Sequence, residues 1–213
     1  MRALAAALAV ALVACGPPSE PAETAPPVPE VPAVPEVPTA SGAPDRPETV
    51  VDTVRIEGMA EPIRLRPVRY SDVPLPFSTD VPEDWVDSVV SSGEGTAVRF
   101  TVGEPPRQGL LSLFVPSAPN RAGVAALAEA VAEGYGGARE IDAIEVGVSR
   151  AFAFSGPDAV GTVTVREHAG VPFYVVEAYP VELGDGFAPR AALVLDRLRW
   201  LDTGGGLAGR PPR

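Results

Sequence analysis

The only histidine of the chain, His168, is the side chain best suited to act as a general base near neutral pH. The candidate nucleophile is Ser149, in the segment Gly-Val-Ser-Arg-Ala at 147–151, which has alanine where the GxSxG turn of α/β-hydrolases has its second glycine. In those enzymes an acid lies between the serine and a more distant histidine, whereas His168 follows Ser149 by only nineteen residues. A hydrolase built on these two residues therefore stays an alternative, and a solvated histidine in a hairpin turn is the preferred interpretation.

Acidic residues surround a tryptophan in the segment Asp-Val-Pro-Glu-Asp-Trp-Val-Asp at 80–87. Carboxylates beside an indole ring can hold a sugar or a cation, and paired carboxylates can hydrolyse glycosides. A turn or a helix start is the alternative reason for such residues, because acidic side chains are stabilised there. We take Asp84, Trp85 and Asp87 as candidate ligand-binding residues for a sugar or a metal ion. The sequence lacks the dense, regularly spaced oxygen ligands of a calcium loop, so no dedicated metal site is predicted.

Three arginines lie in the segment Pro-Ile-Arg-Leu-Arg-Pro-Val-Arg-Tyr at 62–70. In a strand, Arg64 and Arg66 share the face opposite to the apolar residues around them. On an acidic chain, Arg64, Arg66 and Arg69 are candidate contacts for an anionic partner. The alternative is a half-buried edge strand whose polar face lies in water, which Pro67 favours because proline has no amide donor.

Composition limits the classes of function that remain. The chain has 213 residues, a length that predicts one domain with appendages. Its net charge of −11 argues against a nucleic-acid partner, since binding to phosphates requires a basic surface. A single cysteine excludes an intramolecular disulfide and a Cys-x-x-Cys zinc or redox site. Nothing in the sequence predicts a cofactor.

The single cysteine, Cys15, ends an N-terminal segment typical of secretion. Arg2 precedes an apolar run at 3–14, whose helix would span roughly 18 Å, too short for a hydrocarbon core of about 30 Å. The sequence Leu-Val-Ala-Cys at 12–15 resembles the bacterial lipobox. The resemblance implies that residues 1–14 are removed as a signal peptide and that Cys15 is acylated on its sulfur and its new amino terminus. An ordinary signal peptide is the alternative.

The proline-rich composition of residues 15–49 predicts a tether between the anchor and the folded part of the chain. The unit Val-Pro-Glu-Val-Pro occurs at 28–32 and again at 34–38. Proline fixes φ and removes amide donors, so helices and sheet interiors are excluded. A disordered, polyproline-II-like spacer is expected, with a reach of roughly 100 Å when fully extended. A Pro-x-x-Pro ligand for an SH3-type domain is the alternative.

Residues 50–203 are long enough to form one buried core. Helical periodicity occurs at 120–135, with Asn120 as the N-cap, and at 185–201, with Asp185 as the cap. The mixture of strands and helices predicts the α+β class, with an antiparallel sheet flanked by helices. Residues 204–213 are predicted to form a disordered tail. Alternating or β-branched runs predict strands at 51–57, 62–69, 97–103, 109–115, 143–148, 151–155, 160–167 and 171–180, with a hairpin at 167–170.

The order of these features resembles PsbP-like domains, which occur in the extrinsic photosystem II protein and in many small bacterial lipoproteins. The segment Pro-Phe-Ser-Thr-Asp-Val-Pro-Glu-Asp-Trp at 76–85 is similar to their opening strand and Pro-x-x-Trp motif. A long helix, a tyrosine-bearing strand at 171–179 and a closing helix at 194–200 continue the resemblance over about 75–200. It implies an α/β/α sandwich with a binding or assembly role and without catalysis. The leading segment 50–73 is additional, and no ligand residues carry over.

Together these observations predict a lipid-anchored protein of the cell envelope that is not an enzyme and that binds another envelope protein. Gly16, rather than aspartate, follows the cysteine. By analogy with lipoprotein sorting, this favours the outer membrane facing the periplasm in a diderm cell. In a monoderm cell the same anchor would hold the protein on the outer face of the plasma membrane.

Overall fold

A computed structural model of the chain describes residues 49–56, 58–142 and 148–207. These residues form eleven strands, two α-helices and one 3-10 turn at Val181–Leu183. The helices are α1 (Arg121–Gly134) and α2 (Gly184–Arg197). The strands are β1 (Val50–Ile56), β2 (Met59–Tyr70), β3 (Phe77–Pro82), β4 (Val86–Ser91), β5 (Gly95–Val102), β6 (Gly109–Pro116), β7 (Ala138–Ile141), β8 (Val148–Ser155), β9 (Val160–His168), β10 (Val171–Tyr179) and β11 (Arg199–Trp200).

The strands form two sheets, and every strand pair is antiparallel. The larger sheet has seven strands in the order β4-β5-β6-β10-β9-β8-β7, and the smaller has four in the order β1-β2-β3-β11. The class is α+β with strands predominating, which agrees with the sequence-based class. The sequence predicted one sheet, whereas the leading segment 50–73 contributes most of a second one.

The larger sheet has a core on each side. Its front face packs against the smaller sheet and α2, where Trp85, Phe100, Phe173 and Phe187 are buried together. The opposite, back face is covered over β8, β9 and β10 by α1. Small side chains let α1 lie close to that face, where the buried residues include Val124, Ala125, Ala128, Ala132, Phe152, Val163, Val165 and Val176. The two helices therefore pack on opposite faces of the larger sheet, α2 on the front and α1 on the back.

The helix α1 begins where the sequence predicted. Asn120 has extended backbone angles, and its side-chain oxygen accepts a hydrogen bond from the Gly123 amide at 2.8 Å. This bond satisfies one of the amide groups that a helix leaves unpaired in its first turn. Asn120 is confirmed as the N-cap.

The helix α2 differs from its prediction at both ends. The 3-10 turn leads directly into it, so Leu183 is the N-cap without a side-chain bond, and Asp185 lies in the first turn instead. At the other end Leu198 turns to extended angles and the chain enters β11, which pairs with β3. The predicted helix to residue 201 was too long, because the apolar spacing of Leu198 and Trp200 also suits a buried strand.

The strand β2 explains how two prolines fit within a sheet. Its first part pairs with β1 as far as Leu65, and its last part pairs with β3 from Leu65 onward. Pro62 and Pro67 therefore each lie where only one neighbouring strand is present, so the missing amide interrupts no ladder. The edge-strand interpretation of Pro67 holds locally, although β2 as a whole lies between two strands.

The hairpin predicted at 167–170 joins β9 to β10. His168 pairs with Val171, and the two turn residues Ala169 and Gly170 both have positive φ, as a tight two-residue hairpin turn requires. At the C-terminal end, Trp200 donates its amide to the Gly205 carbonyl at 2.9 Å, and Gly206 is buried. The segment predicted as a tail thus begins with residues that pack on the domain.

Several predicted features lie outside the described residues. These are the signal peptide, Cys15, the tether up to residue 48, the strand residues 143–147 and the tail from residue 208. Among the helices that are described, none is both long and apolar enough to cross a membrane.

Candidate functional site

Arg66 and Asp87, predicted as parts of two separate sites, contact each other. Arg66 Nη2 donates to Asp87 Oδ1 at 2.6 Å and to the Trp85 carbonyl at 2.9 Å. Tyr70 donates its hydroxyl to the other carboxylate oxygen, Asp87 Oδ2, at 2.5 Å. Since Arg66 and Tyr70 lie on β2 and Asp87 on β4, this network joins the smaller sheet to the edge of the larger one.

The network fixes the ionisation of its members. Burial alone would raise the pKa of Asp87, but the hydrogen bonds from Tyr70 and Arg66 outweigh it, and the pKa lies below its ordinary value. Burial, together with the bond to this carboxylate, raises the pKa of the Tyr70 hydroxyl. The carboxylate is thus charged and the phenol neutral at neutral pH, and the carboxylate accepts hydrogen bonds from both Arg66 and Tyr70.

Trp85 lies in the front core rather than on the surface. Its side chain is 2% exposed, and its ring stacks on Phe187 of α2 with centroids 5.2 Å apart and planes at 9°. A sugar could stack on this face of the ring only by displacing Phe187. The neighbouring Asp84 accepts a hydrogen bond from Arg190 Nη1 at 3.1 Å, which attaches the turn after β3 to α2.

Two buried donors beside this contact lack partners among the described residues. They are the indole Nε1 of Trp85 and the Nε of Arg190. An indole nitrogen and a guanidinium can only donate, so both need an oxygen or another acceptor. Each of these donors would suit an oxygen-bearing molecule rather than a metal cation.

The three arginines of β2 do not form one surface. Arg64 is exposed, and Arg66 is half-buried against Asp87. Arg69 is exposed as well, but by strand alternation it faces the side opposite to Arg64 and Arg66. Neither Arg64 nor Arg69 has an ion-pair partner within the described part of the chain. Arg64 is therefore the arginine of the predicted face that is available to a partner.

Ser149 and His168 are each engaged elsewhere. Ser149 Oγ donates to the Val165 carbonyl at 3.2 Å, at an irregularity in the pairing of β8 with β9. His168 Nε2 lies 2.9 Å from both carboxylate oxygens of Asp202, and its ring stacks on Trp200 with centroids 4.2 Å apart. No hydrogen bond joins the serine to the histidine in the described structure, so the hydrolase alternative would require both to exchange partners.

Sequence reasoning missed Tyr70 and Trp200, which position the predicted residues. Tyr70 lies four residues after Arg66 in β2, so simple alternation places both on one face and could have revealed it. Trp200 gave no such signal, because it was assigned to the closing helix. Its stacking on His168 follows from the return of the chain as β11, a long-range event.

A small apolar cavity lies at one end of the front core. Its lining includes Leu75, Phe77, Phe173 and Trp200, and the space inside is about 10 Å³. That volume suits roughly one water molecule and is far below the several hundred Å³ of a small-molecule pocket. In the described part of the chain, no group of three or more histidine, cysteine or acidic side chains is placed to hold a metal ion.

Comparisons of the chain with protein-family models, with curated proteins and with solved structures found no match. Assignments beyond the α+β class therefore rest on the residues and contacts described above.

Replacing Asp87 by asparagine is expected to destabilise the domain by about 1–3 kcal/mol at pH 7, because the charged carboxylate that accepts from both Arg66 and Tyr70 becomes a neutral amide with a single acceptor oxygen. The lower end of this range of destabilisation is expected, because the side chains of Arg66 and Asp87 are each more than a quarter exposed. The folded pKa of Asp87 lies below its ordinary value of 3.8, so the contribution is present at neutral pH and is lost as the pH falls below that value. Urea unfolding of both proteins at several pH values measures this.

Glu104→Gln provides the control for that experiment, since Glu104 is exposed in the loop between β5 and β6. Its unfolding curve should follow that of the wild type at each pH. A stability difference between Asp87→Asn and wild type that stays constant from pH 7 to about pH 3 would show that the carboxylate charge is not what holds β2 to β4.

Proposed function

We propose that this chain is a lipid-anchored protein of the cell envelope whose PsbP-like domain binds a protein partner and performs no catalysis. The anchor is Cys15, and the tether 15–49 carries the domain away from the membrane. The observation that carries the binding role is the exposed Arg64, which has no ion-pair partner in the described part of the chain. The lack of catalysis is proposed because the polar side chains best suited to catalysis are held by contacts inside the domain. Asp87, Ser149 and His168 each hold an internal contact that supports the fold.

The layering of the domain supports the PsbP-like assignment. One helix covers the back face of an antiparallel sheet, and a second helix packs on the front face, as an α/β/α sandwich requires. The smaller sheet adds to the front layer. It includes strands from segment 50–73, which has no counterpart in the PsbP-like resemblance. Fold alone does not give a function, so the proposed role rests on the surface and the anchor.

The anchor motif supports an envelope location, and the charge of the chain indicates which kinds of partner suit it. Gly16 after the lipobox cysteine favours the outer membrane facing the periplasm in a diderm cell and the outer face of the plasma membrane in a monoderm cell. A net charge of −11 makes nucleic acid an unsuitable partner. The exposed Arg64 then offers a local positive contact for an acidic protein surface.

Binding of a small oxygen-bearing ligand, such as a sugar, is the second candidate. It is favoured by one observation, the unpartnered donors of Trp85 and Arg190 beside Asp84. Both donors are closed to solvent, so the groups around them would have to move to admit such a ligand. Binding of this kind would stabilise the folded state in proportion to ligand concentration.

The partner role predicts that crosslinking in the native cell, with an affinity tag after Arg213, captures one reproducible envelope protein. Arg64→Glu is expected to reduce that capture at least several-fold, because it reverses the charge of the exposed contact. Arg69→Glu makes the same change on the opposite face of β2 and should leave capture intact. Arg66 is left unchanged, since its replacement would break the bond to Asp87.

One outcome would count against the proposed contact surface, and another would count against the binding role itself. Capture that survives both Arg64→Glu and Arg69→Glu would keep the binding function and exclude the arginine face of β2. No reproducible partner in the native cell would overturn the proposed binding role and direct attention to small ligands.

A further inference from the structure

Among the described residues, the strand β4 is an open edge of the larger sheet. It pairs with β5 on one side, and it is the first strand in the sheet order. Natural edge strands are usually protected by charges, prolines, bulges or short length. The other edge of this sheet, β7, follows that pattern, with four residues of which two, Arg139 and Glu140, are charged. By contrast β4 has six residues, and Asp87 is its only charge.

The pairing of β4 with β5 shows which backbone groups point outward. Ser92 and Gly95 exchange both amide–carbonyl bonds at the turn, so they form a hydrogen-bonded pair. Hydrogen-bonded and non-hydrogen-bonded pairs alternate along an antiparallel ladder. The residues of β4 with even numbers therefore bond to β5, while the amides and carbonyls of Asp87, Val89 and Ser91 face the open edge.

The side chains of β4 are unusually apolar for an exposed edge. Val86 is 68% exposed, Val89 47% and Val90 41%. Val86 and Val90 lie on the back face with Ser88 between them, and Asp87 and Val89 lie on the front face. The carboxylate of Asp87 is already bound by Arg66 and Tyr70. A strand added at this edge would meet no unpaired charge.

We propose that β4 is a self-association surface, on which the β4 strand of a second copy of this chain adds antiparallel across a two-fold axis at Ser88. Asp87 then pairs with Val89 of the second copy, and the reverse pair is also formed, so the outward amides and carbonyls of both residues are satisfied. Ser88 faces its own counterpart, and the two larger sheets become one continuous sheet.

The register is what selects a second copy over an unrelated extended segment. On the back face Val86 lies opposite Val90 of the second copy, which covers the two exposed side chains in a pair of β-branched contacts. No carboxylate faces another, because Asp87 lies opposite Val89. When the β4 strands of two copies pair in this register, their backbone groups and apolar side chains match, and no like charges face each other.

The first test is the mass of the full chain by sedimentation equilibrium at increasing concentration, with Cys15→Ala to keep it unlipidated. The mass is expected to rise from 22.0 kDa toward twice that value by roughly 100 μM, as a micromolar Kd would give. Val89→Pro is expected to stay monomeric, because it removes an outward amide without touching the bonds to β5. Val89→Thr keeps the amide and should dimerise like the parent.

The second test fixes the register by cysteine crosslinking. In the Cys15→Ala chain, Ser88→Cys places two thiols opposite each other in a non-hydrogen-bonded pair, where the Cβ atoms are close enough for a disulfide. Mild oxidation should give a covalent dimer with Ser88→Cys and far less with Val181→Cys, an exposed control site outside the edge.

A chain that stays monomeric at all concentrations, or a dimer that persists in Val89→Pro, would overturn the proposal. A dimer that crosslinks through Val181→Cys as readily as through Ser88→Cys would also overturn it. These outcomes are independent of the anchor and of Arg64, so they leave the proposed partner role to its own experiment.

Discussion

Replacing Trp85 by alanine is expected to lower the free energy of unfolding by about 3–5 kcal/mol, as for other large-to-small changes of buried aromatic residues. The indole ring is almost fully buried and stacks on Phe187, so its removal leaves a cavity between the β3–β4 turn and α2. The attachment of Asp84 to Arg190 then loses its packing support. Urea denaturation followed by far-UV circular dichroism measures the loss.

Trp85→Phe is the matched variant, because it keeps an aromatic ring against Phe187 and removes the unpartnered indole N–H. Its cost should be much smaller, since deleting an unsatisfied buried donor removes a penalty. A small effect of Trp85→Ala would contradict the core role of this tryptophan. Glucose and N-acetylglucosamine, the sugars to titrate, should raise the melting temperature of wild type but not of Trp85→Phe if the indole N–H holds a sugar.

Replacing Cys15 by alanine is expected to abolish incorporation of labelled palmitate and to release the protein from the membrane fraction. Each buried CH₂ of an acyl chain contributes about 0.8 kcal/mol, and two or more chains give stable attachment. No other cysteine is present to take over the modification. Metabolic labelling, followed by separation of membrane and soluble fractions, measures both effects.

Ser19→Ala is a suitable control, since it changes a nearby residue of the tether and leaves the lipobox intact. It should label and fractionate like the wild type. Equal palmitate incorporation in the wild type and Cys15→Ala would exclude lipidation at this position. The protein would then be secreted by an ordinary signal peptide, and the partner role would be that of an unanchored domain.

Local sequence patterns predicted much of the secondary structure. The β-branched runs that became β1, β2, β5, β6, β8, β9 and β10 alternate or are continuously apolar, and such patterns report how often each position is buried. Asn120 capped α1 as expected because capping involves a side chain and an amide only three residues away. The end of α2 was predicted too late, since helical and strand periods overlap in a short apolar run.

The candidate sites depended on contacts that no local pattern reports. Arg66 and Asp87 are 21 positions apart, and Arg197 binds Asp80 from a distance of 117 positions. Arginine and aspartate occur both on solvated faces and in ion pairs, so residue type alone did not show that Arg66 is bound while Arg64 has no ion-pair partner among the described residues. Trp85 likewise looked available until α2 supplied Phe187 as its stacking partner.

By itself the sequence determined most of the strands and the α+β class, and it predicted the anchor motif and the tether, because each depends on residues close together along the chain. Only the tertiary structure decided that β4 is an edge strand among the described residues, that Arg66 binds Asp87 and that His168 stacks on Trp200. These features depend on the order of strands in the sheets. That order is set by which apolar faces cover one another over the whole domain, a property that no short segment carries.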